Sequence, residues 1–170
     1  MSRPPSPPAP ARRPGLAVLA LGALVASSLT LTAPPAQAAD TLLSQGRTAT
    51  ASSFQQSYGE CPCEPAEATD GRAGTRWASD WSDPQWIRVG LGAPTAIRKL
   101  QLQWDPACAK SYEVRVSDDG STWRTVHSTT TGNGDIDTID VTATARHVRL
   151  HLTARGTGWG CSLHEFGVYS

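Results

Sequence analysis

Apolar and polar residues alternate with a period of two in one stretch of the chain after another. Ile87, Val89 and Leu91 share one parity, as do Leu100, Leu102 and Trp104, then Tyr112, Val114 and Val116, and later Val148, Leu150 and Leu152. Successive side chains of a strand point to opposite faces, so each set marks one buried face of a β-strand. Gly92-Ala93-Pro94-Thr95 separates the first two strands, Asp118-Asp119-Gly120 forms a hairpin-like turn, and Gly132-Asn133-Gly134-Asp135 marks another reversal. Half-buried antiparallel strands at this spacing predict an all-β sandwich or barrel, with Trp77, Trp86, Trp104 and Trp123 in its core. No amphipathic helix is predicted. His147 and His151 share the opposite, solvent face of their strand with Arg149.

The pattern starts only after an N-terminal segment of different character. Arg3, Arg12 and Arg13 precede an apolar run from Leu16 to Leu31, which ends at Ala36-Gln37-Ala38. That run is shorter than the roughly 20 residues of a bilayer span and closes on small residues, so residues 1–38 read as a secretory signal. Residues 39–170 then form one domain, secreted and without a transmembrane segment. This segment keeps all 15 acidic residues and, without the three leader arginines, 15 − 3 = 12 basic ones, a formal charge of −3. A nucleic-acid partner relies on clustered positive charge, and no basic run is present.

The exported part contains Cys61, Cys63, Cys108 and Cys161, and an oxidising compartment favours pairing. Two disulfides are expected. A bond within Cys61-Pro62-Cys63 closes a small strained ring, so each of these two is expected to pair with Cys108 or Cys161. A lone Cys-x-Cys lacks the ligand spacing of a zinc site. The polar segments 54–68 and 154–162 have no strand pattern and are loops, each with cysteine, which stapling would preorganise for binding.

A series of landmarks runs through this domain: Gly46-Arg47-Thr48-Ala49-Thr50-Ala51-Ser52-Ser53, Ala68-Thr69-Asp70-Gly71, Thr75-Arg76-Trp77 and Asp83-Pro84-Gln85-Trp86-Ile87. Leu102-Gln103-Trp104-Asp105, Lys110-Ser111-Tyr112, Val116-Ser117-Asp118-Asp119-Gly120 with Trp123, and Ser162-Leu163-His164-Glu165-Phe166 continue it. In order and spacing the chain resembles the coagulation factor five/eight type C, or discoidin, domains, and within them the bacterial family 32 carbohydrate-binding modules. The resemblance implies a jelly-roll-like, galactose-binding-domain-like β-sandwich. Cys108 and Cys161 stand where relatives often have aromatic residues, and the first loop carries the extra Cys-Pro-Cys.

The resemblance also implies one structural calcium ion, held by the side chains of Asp70, Thr75 and Glu165 and the carbonyls of Glu67, Arg72 and His164. Calcium takes six to eight oxygen ligands, which a compact acidic turn supplies. For a sugar, the matching positions are Arg76, Trp81 and Asp105, with Trp159 closing the site and Glu60 from the first loop. An indole offers a flat face to a pyranose, while guanidinium and carboxylate take its hydroxyls. No His-Glu-x-x-His or Gly-x-Ser-x-Gly motif is present, and the paired acids Asp80/Asp83 and Asp118/Asp119 fall in turns. The sequence therefore predicts a monomeric, noncatalytic module that holds a polysaccharide or oligosaccharide on loops at one end. The alternative is an adhesion module for a phospholipid surface or protein partner, which the acidic loops Glu60, Glu64, Glu67, Asp80, Asp83 and Asp105 disfavour.

Overall fold

The computed structural model describes residues 39–56 and 61–170; the expected signal segment 1–38 and Glu60 lie outside the described residues. Seven strands follow in order: β1 (Ala49–Ala51), β2 (Trp77–Ala78), β3 (Gln85–Trp104), β4 (Ala109–Ser117), β5 (Arg124–Thr129), β6 (Ile136–Arg155) and β7 (Ser162–Tyr169). A short 3-10 turn, Pro65–Thr69, precedes β2. All pairings are antiparallel, in the order β2-β7-β3-β6-β4-β5, with β1 on β3. Among the described residues no helix is long and apolar enough to cross a membrane.

The β3–β6 ladder makes the sandwich. Both strands are 20 residues long, and each changes its buried parity partway along. β3 buries odd-numbered residues as far as Ile97 and even-numbered ones from Leu100, while β6 changes from Ile139–Ala145 to Val148–Leu152. A bulge that adds residues to one strand bends it and moves the following side chains to the other face. Here Leu91 to Pro94 sit opposite Arg146 alone, between the pairs Gly90–His147 and Thr95–Ala145, and a second shift falls between Ile97 and Lys99. Residues 92–95 therefore do not separate two strands, as the Gly-Ala-Pro-Thr signal suggested. They let one strand, with Gly92 at φ 89°, pass from one layer into the other.

One layer then consists of β1, the first half of β3, the second half of β6, β4 and β5; the other holds the remaining halves with β7 and β2. Between them lie the four apolar sets read from the sequence, joined by Trp77, Leu163, Phe166 and Val168. Trp104 is buried with its indole N–H donating to Asp137 Oδ2 at 2.9 Å, and the Tyr112 hydroxyl donates to the same oxygen at 2.5 Å. Burial and this carboxylate push the Tyr112 hydroxyl pKa well up. Trp86 and Trp123 are not core residues. Their parity or loop position turns them to the outer surface of the first layer, where both rings lie against the Arg149 guanidinium, and His147 and His151 on that face are half-buried rather than open.

Trp104→Ala removes a large buried ring and leaves Asp137 with one donor fewer, and should lower unfolding free energy by about 3–5 kcal/mol. Urea denaturation measures this, and a loss below about 1 kcal/mol, the scale of a surface change, would contradict the placement.

Candidate functional site

Three connections meet at one end of the sandwich: the segment after β2, the β3–β4 connection and the β6–β7 connection. Backbone bonds tie them together. Ser79 N–H donates to Cys161 O (2.8 Å), Ser162 N–H to Ala107 O (2.6 Å), Asp105 N–H to Ser162 O (3.1 Å) and Gly156 N–H to Cys108 O (2.9 Å). Gly160 passes so close that a Cβ there would stand 2.1 Å from Ser79 O, so this position admits no side chain. Arg155 fixes the last loop: its Nη1 donates to the carbonyls of Gly158 and Trp159, both at 3.4 Å, and its Nε lies 3.3 Å from Asp83 Oδ1.

These ties enclose a cleft of about 590 Å³, lined by Arg76, Trp81, Asp105 and Trp159 together with Gln55, Pro106, Thr157 and Ser162. Trp81 is 50 % and Trp159 53 % exposed, which rules out burial under the loops. Their ring centres are 5.0 Å apart and their planes 87° to each other, so one wall of the cleft is an aromatic corner. Opposite stands a polar group. Arg76 Nε lies 3.8 Å from Asp105 Oδ2, and that oxygen also faces His164 Nε2 at 3.5 Å. Thr75 O can only accept, so the 2.9 Å contact makes His164 Nδ1 the donor, and Asp105 Oδ1 accepts the Ala107 N–H at 3.1 Å. The acid is thus held by both oxygens, and Arg76 Nε is buried without a hydrogen-bond partner. Four of the five expected sugar contacts therefore converge. Gln55 and Thr157 carry no motif in the sequence and reach the cleft only through the fold, while the side chain of His164, expected to act through its carbonyl, stands against Asp105.

The Asp-Gly turn lies beside this cleft, on the far side of His164. Asp70 Oδ1 accepts the Arg72 N–H at 2.8 Å, and Glu165 Oε2 accepts the Gly71 N–H at 3.2 Å. The single Thr75 hydroxyl proton faces three acceptors: Asp70 Oδ1 (3.0 Å), Asp70 Oδ2 (2.9 Å) and Arg72 O (2.9 Å). Glu165 Oε1 and Glu67 Oε2 are buried without partners. Burial, with Asp70 adding to it, holds the Glu165 carboxyl above its usual range. This is an oxygen-rich cluster with too few protons. Among the described residues no three His, Cys, Asp or Glu side chains form a metal cluster, so an ion here depends on hydroxyl and carbonyl oxygens beside two carboxylates.

Comparison with known proteins gives the setting. The family model of the F5/8 type C domain matches residues 48–166. Chitosan-binding module 1 of the chitosanase/glucanase from Paenibacillus sp. IK-5 is 45 % identical, with TM-score 0.71, over 76 % of this chain and 99 % of that one. Module 2 of the same enzyme, in complex with chitotriose, is 42 % identical with TM-score 0.70, over 75 % and 99 %. The Clostridium perfringens module CpGH89CBM32-5, in complex with GalNAc-β-1,3-galactose, is 27 % identical with TM-score 0.69, over 76 % and 100 %. The polysaccharide lyase 8 family protein HylA of Enterococcus faecalis is 38 % identical over 68 residues, which is 40 % of this chain and 5 % of that protein.

The cysteines differ from expectation. Cys61 is bonded to Cys63, with Cα atoms 5.1 Å apart, because Cys63 at φ 52° turns the chain back on itself. Cys108 and Cys161 are buried free thiols beneath the cleft, so no disulfide crosses between the loops. The backbone bonds of Cys108, Cys161 and their neighbours do that work instead. Burial pushes the Cys161 thiol up to about 12, which keeps it protonated and unreactive at neutral pH. Denatured, unreduced protein should therefore titrate two thiols per chain and native protein none. Four, or none after denaturation, would contradict this pairing.

Proposed function

The chain belongs to the F5/8 type C domain family, and from that premise we propose that it is a noncatalytic carbohydrate-binding module whose loop-end cleft holds a glucosamine-rich oligosaccharide. The observation that carries the proposal is the corner of Trp81 and Trp159 facing Arg76 and Asp105. A pyranose ring needs an aromatic face against its C–H surface and planar polar groups for its hydroxyls, and the cleft supplies both within one sugar's reach. An amino sugar adds an ammonium, for which Asp105 is the complementary charge. The two Paenibacillus modules, named for chitosan binding and one of them seen with chitotriose, support this choice of ligand.

Nothing in the cleft calls for chemistry. Glycoside hydrolysis uses two carboxyl groups flanking the scissile bond, whereas Asp105 is the one acid among the described residues that line the cleft. The reading as a module for anionic lipid surfaces is disfavoured by the acids near the cleft, Asp80, Asp83 and Asp105, which would face like charge. The export signal read in residues 1–38 supports a role outside the cell.

The turn beside the cleft is proposed to hold calcium. The residues fit the ion: Asp70 and Glu165 supply charge, the Thr75 hydroxyl and Arg72 carbonyl supply neutral oxygen, and the unpartnered Glu165 Oε1 would gain a ligand role. The carbonyls of Glu67 and His164 complete the proposed set. The ion would fix the start of the segment leading to Arg76 against β7, and would not touch the sugar.

Two measurements test these readings. In calorimetry against a glucosamine trimer, Trp81→Ala should lose about 1–3 kcal/mol of binding with the melting temperature retained, and Arg76→Ala should lose a similar amount that Lys does not restore. Unchanged affinity in both variants would place the ligand elsewhere. Chelation should lower the melting temperature, since an ion that binds only the folded state stabilises it by mass action, and an identical melting curve with and without chelator would remove the calcium.

A further inference from the structure

Away from the cleft, the outer surface of the first layer carries a feature that serves neither the fold nor the sugar site. In the paired register Arg88 lies opposite Arg149, and Arg149 opposite Arg115. The row continues to Thr50 on one side and Thr125 on the other. Three guanidinium-bearing residues therefore stand side by side on adjacent strands, at the strand spacing of about 4.8 Å. Like charges directly opposite one another are destabilising, so the row costs the fold something that its contacts must offset.

Those contacts leave the charge largely uncompensated. Among the described residues, the ion pair of this row is Arg115 Nε with Glu113 Oε2 at 2.7 Å, and Glu113 also accepts from Thr125. Asp119, at the edge of the surface, is taken by its own turn, accepting from the Ser121 and Thr122 amides and the Ser117 hydroxyl. Arg88 donates to neutral oxygens, Thr50 Oγ1 and Gly120 O. Arg149 lies against the rings of Trp86 and Trp123, at 4.7 and 3.7 Å from their centres, and its Nε is buried without a hydrogen-bond partner. All three residues are half-buried, the Arg149 guanidinium lying against its two rings and the Arg115 side chain being 27 % exposed.

We propose that the Arg88–Arg149–Arg115 row is a second binding surface, for an anionic polysaccharide whose carboxylate or sulfate groups are taken by successive guanidinium forks. Charge complementarity selects the anion, and a fork binds a planar or tetrahedral oxyanion through paired hydrogen bonds. The flat face across five strands suits an extended polymer, and the Trp86 and Trp123 rings flank it. The choice of a polysaccharide over other polyanions rests on the function proposed above; the row itself does not. The protein would then join two glycans, a basic one at the loop end and an acidic one on its side.

The experiment is affinity electrophoresis and calorimetry of the folded protein with sodium polygalacturonate and with dextran sulfate, at low salt and at about 0.5 M salt, where surface charge pairing is screened. The expected result is binding to at least one polymer that is lost at high salt. Arg88→Gln and Arg115→Gln should each weaken it roughly three- to tenfold, and the lysine variants should bind better than the glutamine ones. Melting temperatures without polymer should hold or rise in the glutamine variants, because like-charge repulsion is relieved. Trp81→Ala should bind the acidic polymers unchanged, and binding of the glucosamine trimer should be unaffected by Arg115→Gln. The proposal is overturned if neither polymer binds, if the glutamine variants bind as tightly as the parent, or if Trp81→Ala abolishes the binding. Tighter binding to a DNA duplex or to phosphatidylserine vesicles would also overturn it, without touching the loop-end reading.

Discussion

The pairing of β3 with β6 is the constraint on which the rest depends. Each strand is too long for one flat sheet, and the two register shifts, Leu91–Pro94 opposite Arg146 and the one between Ile97 and Lys99, let both turn the corner together. Because the two strands change parity, side chains of both halves can point into one core although the ladder never closes on itself. The same ladder places the ends of the strands. Trp104, the last residue of β3, leads directly to Asp105, and Arg155, the last of β6, anchors the loop that carries Trp159. The two strands run antiparallel, so these residues mark opposite ends of the ladder, and the cleft forms where the bend brings those ends together.

Preorganisation there comes from backbone rather than covalent links. Four amide-to-carbonyl bonds and the side-chain-free position at Gly160 hold three connections in fixed relation, and the two tryptophans project from that frame half exposed. A ligand that meets such a frame orders few side chains, so more of the contact energy is kept as affinity. The buried thiols of Cys108 and Cys161 fill space under the frame as small apolar groups. His164 connects the cleft to the Asp-Gly turn, through Thr75 O on one side and Asp105 on the other, so an ion at the turn and a sugar in the cleft would share one rigid partition.

The strand interiors were legible in the sequence, because burial on one face leaves a period-two trace that Ile87 to Leu91 and Val148 to Leu152 show plainly. The bulge was not, since Gly92-Ala93-Pro94 has the composition of a chain reversal and only the partner strand reveals that pairing resumes beyond it. Trp86 and Trp123 looked like core residues because they sit within or beside the alternating strands, yet their rings lie against an arginine on the outer face. Arg76, Trp81, Asp105 and Trp159 could be named from the family resemblance, and the fold brings these four together. The cysteine pairing failed because proximity in space depends on the left-handed turn at Cys63, which no spacing rule anticipates. Nor could the arginine row be seen, its members being spread over three strands with no basic run in the chain.

The central claim is that the glycan lies between Trp81 and Trp159, and the six tryptophans of the chain report on it separately. In a titration of 15N-labelled protein with a glucosamine trimer, followed by NMR, the indole N–H signals of Trp81 and Trp159 should shift progressively to saturation. Those of Trp77 and Trp104, buried in the core, should stay in place, as should those of Trp86 and Trp123 on the arginine face. Stationary signals for Trp81 and Trp159, with shifts confined to Trp86 and Trp123 or with none at all, would contradict the account.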